Sequence, residues 1–243
     1  MCTATYIPLS PDRFILTHSR DEQSVRPAAL PPRTQYIGGR AVTYPVDPQG
    51  GGTWIASTNN TVVCLLNGAF TAHQKQPFYK HSRGLVIPHF LGYSSAAAFV
   101  LSYPFAGIEP FTLLVVEAGK LLVIRWTGVQ RFVEKPDANQ PHIWSSVTLY
   151  DPLMQQKRER WFANWCATQA TPTVADVRRF HQTAGDGDPA TSLLMSRAGT
   201  LQTISLTSID YNANRAVPGQ MIYQDFTKHL SQHPNPLLTH ANA

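Results

Sequence analysis

Charge is scarce in this 243-residue chain, at 14% of residues, while hydrophobic residues make up 43%. That balance excludes an intrinsically disordered segment, which needs high charge and low hydrophobicity. Cysteine is scarcer still. Cys2, Cys64 and Cys166 are the three present, an odd number with no CxxC spacing. This excludes a disulfide framework and a cysteine-based structural zinc site. No run approaches the roughly 18 continuous apolar residues of a membrane span. The start lacks a basic segment followed by an apolar one, so no secretory leader is read and a cytoplasmic protein is expected. The formal net charge is +5, but apart from Lys157-Arg158-Arg160 the basic residues are scattered. Nucleic-acid binding would need a denser basic stripe, so the expected partner is a small molecule. His73 and His81 are loop residues too sparse for a metal site, and Asp186-Gly187-Asp188-Pro189 lacks the further ligands of a calcium loop. No metal and no cofactor are assigned.

The residues that are present describe one domain, expected over 1–228, with a disordered tail over 229–243. Strands are read at Thr3–Ile7 and Phe14–Thr17, then Thr53–Ser57 and Thr61–Leu66, from their β-branched and aromatic content. Arg26 to Pro32 reads as an irregular Pro-rich connector, with a short strand inside Gln35–Val42 and a flexible glycine loop over Pro45–Gly52. Leu85–Leu91 reads as a helix despite Pro88, and a second helix follows a Ser94 or Ser95 cap. Strands at Phe111–Glu117, Lys120–Thr127 and Gln130–Phe132 follow, with His142–Val147 continuing their sheet. Two helices come next, over Leu153–Thr168, with Trp161, Phe162, Trp165 and Cys166 on its apolar face, and over Val174–Thr183. Leu193–Met195, Thr200–Ile209 and Gln220–Tyr223 close the chain as strands. Alternation of strand and helix blocks predicts an α+β fold, a four-layer αββα sandwich of two mainly antiparallel sheets flanked by helices.

Chemistry concentrates at Cys2. Met1 precedes a side chain small enough for aminopeptidase removal, which would leave Cys2 with a thiol and a free α-amine. One residue would then supply nucleophile and base. Folding the first hairpin about Ser10-Pro11 puts residue 2 opposite residues 19 to 21, because antiparallel partners keep a constant index sum. Ser19, Arg20 and Asp21 are therefore expected beside Cys2, with Arg20 favouring thiolate. The alternative is a frayed terminal cysteine beside a solvated strand end. Asn67, at the end of an apolar strand, is either a donor to a developing oxyanion or a turn residue. Arg83 is either a ligand for an anionic group or a surface ion-pair partner.

Taken together, Met1-Cys2, Ser19-Arg20-Asp21-Glu22 before Arg26-Pro27, Gly51-Gly52-Thr53-Trp54, Asn67-Gly68 and Ser82-Arg83-Gly84 resemble the NRDE family, also called the transport and Golgi organization 2 family. Ser19 stands where the family motif has Asn, and a hydroxyl replaces only part of the hydrogen bonding of an amide. The resemblance implies the N-terminal nucleophile (Ntn) hydrolase fold, with Cys2 as nucleophile and base. It implies that Arg20 and Asp21 position Cys2, that Asn67 is an oxyanion donor, and that Ser19, Trp54 and Arg83 line the substrate site. The activity implied is hydrolysis of a small amide at its C–N bond. The alternative is a non-catalytic protein of the same fold that binds or traffics a hydrophobic ligand such as haem or a lipid.

Overall fold

The computed structural model describes residues 2–227, so Met1 and the tail expected from His229 lie outside the described residues. The chain begins with a hairpin of β1 (Cys2–Ser10) and β2 (Arg13–Gln23). Its register pairs Cys2 with Arg20 and Thr3 with Ser19, and holds to Pro8 opposite Phe14. The constant index sum sought in the sequence is present. Next come β3 (Leu30–Ile37), β4 (Arg40–Val46), β5 (Ile55–Ser57) and β6 (Thr61–Asn67). A 3₁₀ turn at Arg83–Leu85 leads into α1 (Val86–Leu91) and α2 (Ala96–Ser102). β7 (Phe111–Glu117), β8 (Lys120–Trp126), β9 (Arg131–Glu134) and β10 (His142–Ser145) follow. After α3 (Pro152–Ala167) and α4 (Val174–Thr183) come β11 (Ser196–Arg197), β12 (Leu201–Asn212) and β13 (Gly219–Asp225).

The helices begin where side chains satisfy orphan amides. Ser95 accepts from the Ala98 amide, and Asp151 accepts from that of Met154 ahead of a Pro at the first helical position. Thr173 and Asp176 form a reciprocal capping box. These are the usual devices for helix starts. Pro88 sits in the first turn of α1, where its missing N–H would have had no intrahelical partner.

Two antiparallel sheets result. One runs β10-β1-β2-β12, with β11 and β13 both paired to the far side of β12; the other is a seven-stranded meander from β3 to β9 in chain order. Apolar side chains fill three interfaces. Val63, Leu65, Leu113 and Val115 of the meander pack on Val86, Phe90 and Phe99 of α1 and α2. Between the sheets, Cys2, Ala4 and Leu16 meet Cys64, Leu66 and Leu114. On the outer side of the first sheet, Ile7 and Ile15 pack on Phe162, Val177 and Phe180 of α3 and α4. The layers are therefore α, β, β, α, as expected.

Several elements differ from the expectation. The Pro-rich connector is in part a strand: β3 includes Pro31 and Pro32 at a register shift between Leu30 and Arg33. As an edge strand it tolerates residues without an amide donor. The short strand expected in Gln35–Val42 is the end of β3 and the start of β4. The Pro45–Gly52 loop is shorter, because β4 extends to Val46. β10 joins the first sheet rather than the meander, pairing with β1 from Thr3–Ser145 to Tyr6–His142. Leu193–Met195 is not a strand. The Met195 amide donates to Thr203 Oγ1 and that of Leu193 to the Ala184 carbonyl, leaving only the two-residue β11.

Candidate active site

The pleat of the first hairpin sorts its polar residues onto two faces. Directly opposed residues share a face and neighbours alternate. Cys2, Ala4, Leu16, His18 and Arg20 consequently point between the sheets. Thr3, Thr5, Thr17, Ser19 and Asp21 point towards α3 and α4.

On the inner face, Cys2 is 5% exposed. Arg20 lies directly opposite. Its guanidinium sits 4.5 Å from the centroid of the Trp54 ring, a cation–π contact that also places Trp54 beneath the site. Arg20 Nη2 donates to Asp47 Oδ2 at 3.2 Å and lies 3.9 Å from Glu22 Oε2. Arg26 shares both carboxylates, donating to Asp47 at 2.5 Å and lying 3.6 Å from Glu22. Two cations and two anions thus form a charge-balanced quartet that locks the Arg20 side chain.

The glycine-rich segment exists to bring Asp47 and Trp54 to Arg20. Asp47 closes a turn: its amide donates to the Gly52 carbonyl and its own carbonyl accepts from the Gly51 amide, each at 2.8 Å. Gly51 adopts φ +66° there. Gly52 then lies flat against the backbone of Gly84, and the Thr53 amide donates to the Gly84 carbonyl at 3.0 Å. The Gly51–Trp54 and Ser82–Gly84 stretches, 30 residues apart in sequence, are therefore one contact in space. Arg83 pairs with Glu109 at 3.1 Å and donates to the Pro110 carbonyl at 3.2 Å. Burial lowers its pKa, opposed by Glu109 and, more weakly, by the charge of a Cys2 thiolate.

Asn67 ends β6. Its carbonyl accepts from Ser146 Oγ at 2.7 Å, and the Ser146 amide donates to the Cys2 carbonyl at 2.9 Å. Ser146 ties the strand end bearing Asn67 to the residue bearing the thiol. Asn67 also lines a cavity of about 200 Å³ with Gly68, Trp144, Ser145 and Gln155. A larger cavity, about 780 Å³, lies by Leu9 and Arg13 at the other end of the hairpin.

The outer face holds the remaining candidates. Ser19 Oγ and Thr5 Oγ1 each sit 2.8 Å from a different ring nitrogen of His181 on α4. Burial and the nearby Arg158 and Arg178 push the His181 pKa down to about 3, so this imidazole is a neutral clasp between helix and hairpin. Asp21 accepts from the hydroxyls of Tyr150 and Thr203, both at 2.6 Å. Arg158, fully buried, stacks 3.6 Å from the Tyr150 centroid and donates to Thr3 Oγ1 and to the carbonyls of Thr191 and Ser192. Burial pushes the Asp21 carboxyl up against the pull of Arg158 and of the two hydroxyls. The structure thus brings Cys2, Arg20 and Trp54 together on the inner face, ties the backbone of Asn67 to that of Cys2 through Ser146, and turns Ser19 and Asp21 to the other face.

Burial also pushes the Cys2 thiol up. Arg20 opposes that rise and Asp21 adds to it, so Arg20 does not by itself make a resting thiolate. Two residues were given no role from the sequence. His18 is two positions from Arg20, a spacing that puts both on one face of a strand. The stretch Ile143-Trp144-Ser145-Ser146 reads in the sequence as running past the site, but the specific tie made by Ser146 depends on β10 crossing to the first sheet.

Asp47 gives a pH prediction. Burial raises its carboxyl, but the Arg26 hydrogen bond and the charges of Arg20 and Arg26 outweigh this and hold it below the ordinary carboxylate value. A carboxyl depressed in the fold stabilises it above the unfolded pKa of about 3.9 and loses that contribution as pH falls below it. Asp47→Asn should be less stable than wild type at neutral pH, with the gap narrowing as pH falls below about 4. Urea titrations at both pH values measure this; a gap that stays constant would refute it.

An αββα sandwich with a cysteine heading a central strand, opposite an arginine clamped by two carboxylates, defines the class. The chain belongs to the Transport and Golgi organisation 2 family, whose model matches residues 1–204. A search of curated proteins finds no match. Among solved structures, the chain is similar to penicillin V acylase from Agrobacterium tumefaciens at 11% identity and a TM-score of 0.48, covering 94% of this chain and 87% of that one. No helix among the described residues is long and apolar enough to cross a membrane.

Proposed function

We propose that the protein is an N-terminal-cysteine amidohydrolase acting on a small, non-peptide amide. The observation that carries this reading is convergence. Arg20 lies directly opposite Cys2, Trp54 stacks under Arg20 in the same inter-sheet core, and Ser146 ties the Asn67 strand end to the Cys2 backbone, which supports a shared role for these segments and for Arg83 at one buried thiol.

In the reaction, Cys2 Sγ attacks the amide carbonyl carbon and a C–S bond forms. The thiol proton passes to a base and from there to the departing nitrogen as the C–N bond breaks. Water then cleaves the thioester, releasing a carboxylic acid and restoring the thiol. Arg20 and Trp54 position the carbonyl end of the substrate, Asn67 donates to the oxyanion, and Arg83 holds a polar group further out. A preorganised donor of this kind contributes about 3–4 kcal/mol in well-studied hydrolases. Asp21 acts from behind the sheet, holding the strand end that carries Arg20.

Two forms of the protein test this reading. A chain that begins at Cys2 has the α-amine as an additional base, so it should hydrolyse members of an aryl-amide panel faster than a chain retaining Met1. Release of the aryl amine by either form supports the reading. No release from any member of the panel, with both forms folded, would count against it.

The high resting pKa of the thiol favours a second reading, a binding protein of the same fold that holds a hydrophobic ligand such as haem or a lipid. It expects saturable binding that survives Cys2→Ala.

A further inference from the structure

The proposed α-amine base depends on the loss of Met1. The inner face of the first sheet holds another candidate. His18 is fully buried, and no hydrogen bond of good geometry reaches either ring nitrogen, although the Leu65 backbone lies close enough to favour the protonated ring. Buried polar atoms are nearly always paired, and leaving one unpaired costs about 1–3 kcal/mol. The unpartnered atoms also cluster. Arg20 Nη1, Trp54 Nε1 and Thr207 Oγ1 are likewise buried and unpartnered. Thr207 is the direct cross-strand neighbour of His18 on β12, and Arg20 stacks on Trp54. A helix-packing or purely structural histidine has its nitrogens engaged, as His181 does on the other face of the same sheet.

The register sets the relation to Cys2. His18 pairs with Ala4 and Arg20 with Cys2, so His18 is the diagonal neighbour of Cys2 on one face. Such neighbours have Cβ atoms roughly 7–8 Å apart or somewhat less, a span that an imidazole and a thiol bridge together.

We propose that His18 is the proton acceptor for Cys2. As Sγ bonds to the carbonyl carbon, the S–H proton moves to an unpartnered ring nitrogen of His18. The imidazolium returns that proton to the leaving nitrogen as the C–N bond breaks. This inference rests on the hydrolase reading and removes its dependence on a free α-amine. Burial holds the imidazole pKa well below its ordinary value; the chain's α-amine, His181 and Arg20 add to the effect, and the nearby Leu65 backbone opposes it. His18 is therefore neutral at pH 7, as a base must be. With the thiol also neutral, the proton moves during attack rather than before it. The other ionisable groups around the imidazole are the chain's α-amine, Arg20 on its own strand, Cys64 from the facing sheet, Tyr223 on β13 beyond Thr207, and His181 from behind the sheet. Cys64 and Tyr223 are pushed up by burial, the latter to about 12, and His181 is held near 3. Cys64, Tyr223 and His181 therefore keep their charge between pH 6 and pH 8, and the α-amine is the neighbour that titrates at the upper end of that range, near its ordinary pKa of about 8.

The test is iodoacetamide labelling of Cys2, followed by mass in the peptide ending at Arg13, for wild type and His18→Asn from pH 6 to pH 10. At pH 7 the variant should label roughly 100-fold more slowly, the low end of what a positioned base supplies. The gap should narrow as pH rises and the thiol ionises unaided. Equal rates at every pH, with equal melting temperatures, would overturn the role of His18. If Cys2→Ala still abolished hydrolysis, the hydrolase reading would stand on the α-amine alone. Should His18→Asn fail to fold, ¹⁵N imidazole shifts of His18 in wild type and Cys2→Ala decide the matter. Different shifts are expected; identical ones would overturn the pairing.

Discussion

Cys2→Ala is expected to lower amide hydrolysis by roughly 10⁴-fold or more, as removal of a nucleophile does in other covalent hydrolases. The fold should survive. The side chain sits at the end of its strand in the inter-sheet core, and its backbone tie, the Ser146 amide to the Cys2 carbonyl, is unaffected by the change. Loss of one buried sulfur should cost about 1 kcal/mol. Aryl-amine release and a thermal melt separate the two effects. Hydrolysis at the wild-type rate in the folded variant would remove Cys2 from the mechanism. Cys64, in the same core, does not substitute for it: burial raises its thiol well above the ordinary value and a neighbouring Cys2 thiolate raises it further.

Gly52→Ala should have the largest effect on stability. A Cβ on Gly52 would lie 2.2 Å from the Gly84 carbonyl carbon and 2.4 Å from its oxygen. Both are backbone atoms, so no side chain can swing away. The two segments must separate, breaking the hydrogen bond from the Thr53 amide to the Gly84 carbonyl and moving the loop that presents Asp47 and Trp54. We expect a loss of about 3 kcal/mol or more, the upper end for overpacked sites. Gly39→Asn is the matched control. A Cβ there meets nothing within 4 Å, and Asn tolerates the left-handed backbone. Equal denaturation midpoints for the two variants would mean that the Gly52–Gly84 contact is not the joint described.

Much of this arrangement was legible in the sequence. The hairpin pairing followed from turn chemistry and a constant index sum, which put residues 19 to 21 opposite Cys2, and the structure pairs Arg20 with it. The αββα layering followed from the order of strand and helix blocks. The same hairpin shows what position alone leaves out. Ser19, Arg20 and Asp21 are all near residue 2 along the strand, but the pleat gives Arg20 to the thiol face and its two neighbours to the helices. Applying the two-residue period strictly would also have singled out His18. Other features depend on contacts distant in sequence. β10 is indistinguishable from a further meander strand until it pairs with β1. Arg158 reads as part of a surface basic cluster, yet it is fully buried and meets Thr3 and the Ser192 carbonyl. Pro31 and Pro32 suggest a loop, and only their place on a sheet edge admits them to a strand.

The central claim is that Cys2 carries the acyl group. Its most direct test is the mass of the N-terminal peptide after wild-type protein is mixed with a reactive aryl amide and quenched in acid within a turnover. An added acyl mass on the peptide ending at Arg13, absent from Cys2→Ala and lost on standing at neutral pH, is the predicted result. Aryl-amine release from the folded protein with no acyl mass on that peptide, or with the same mass on the Cys2→Ala peptide, would contradict it.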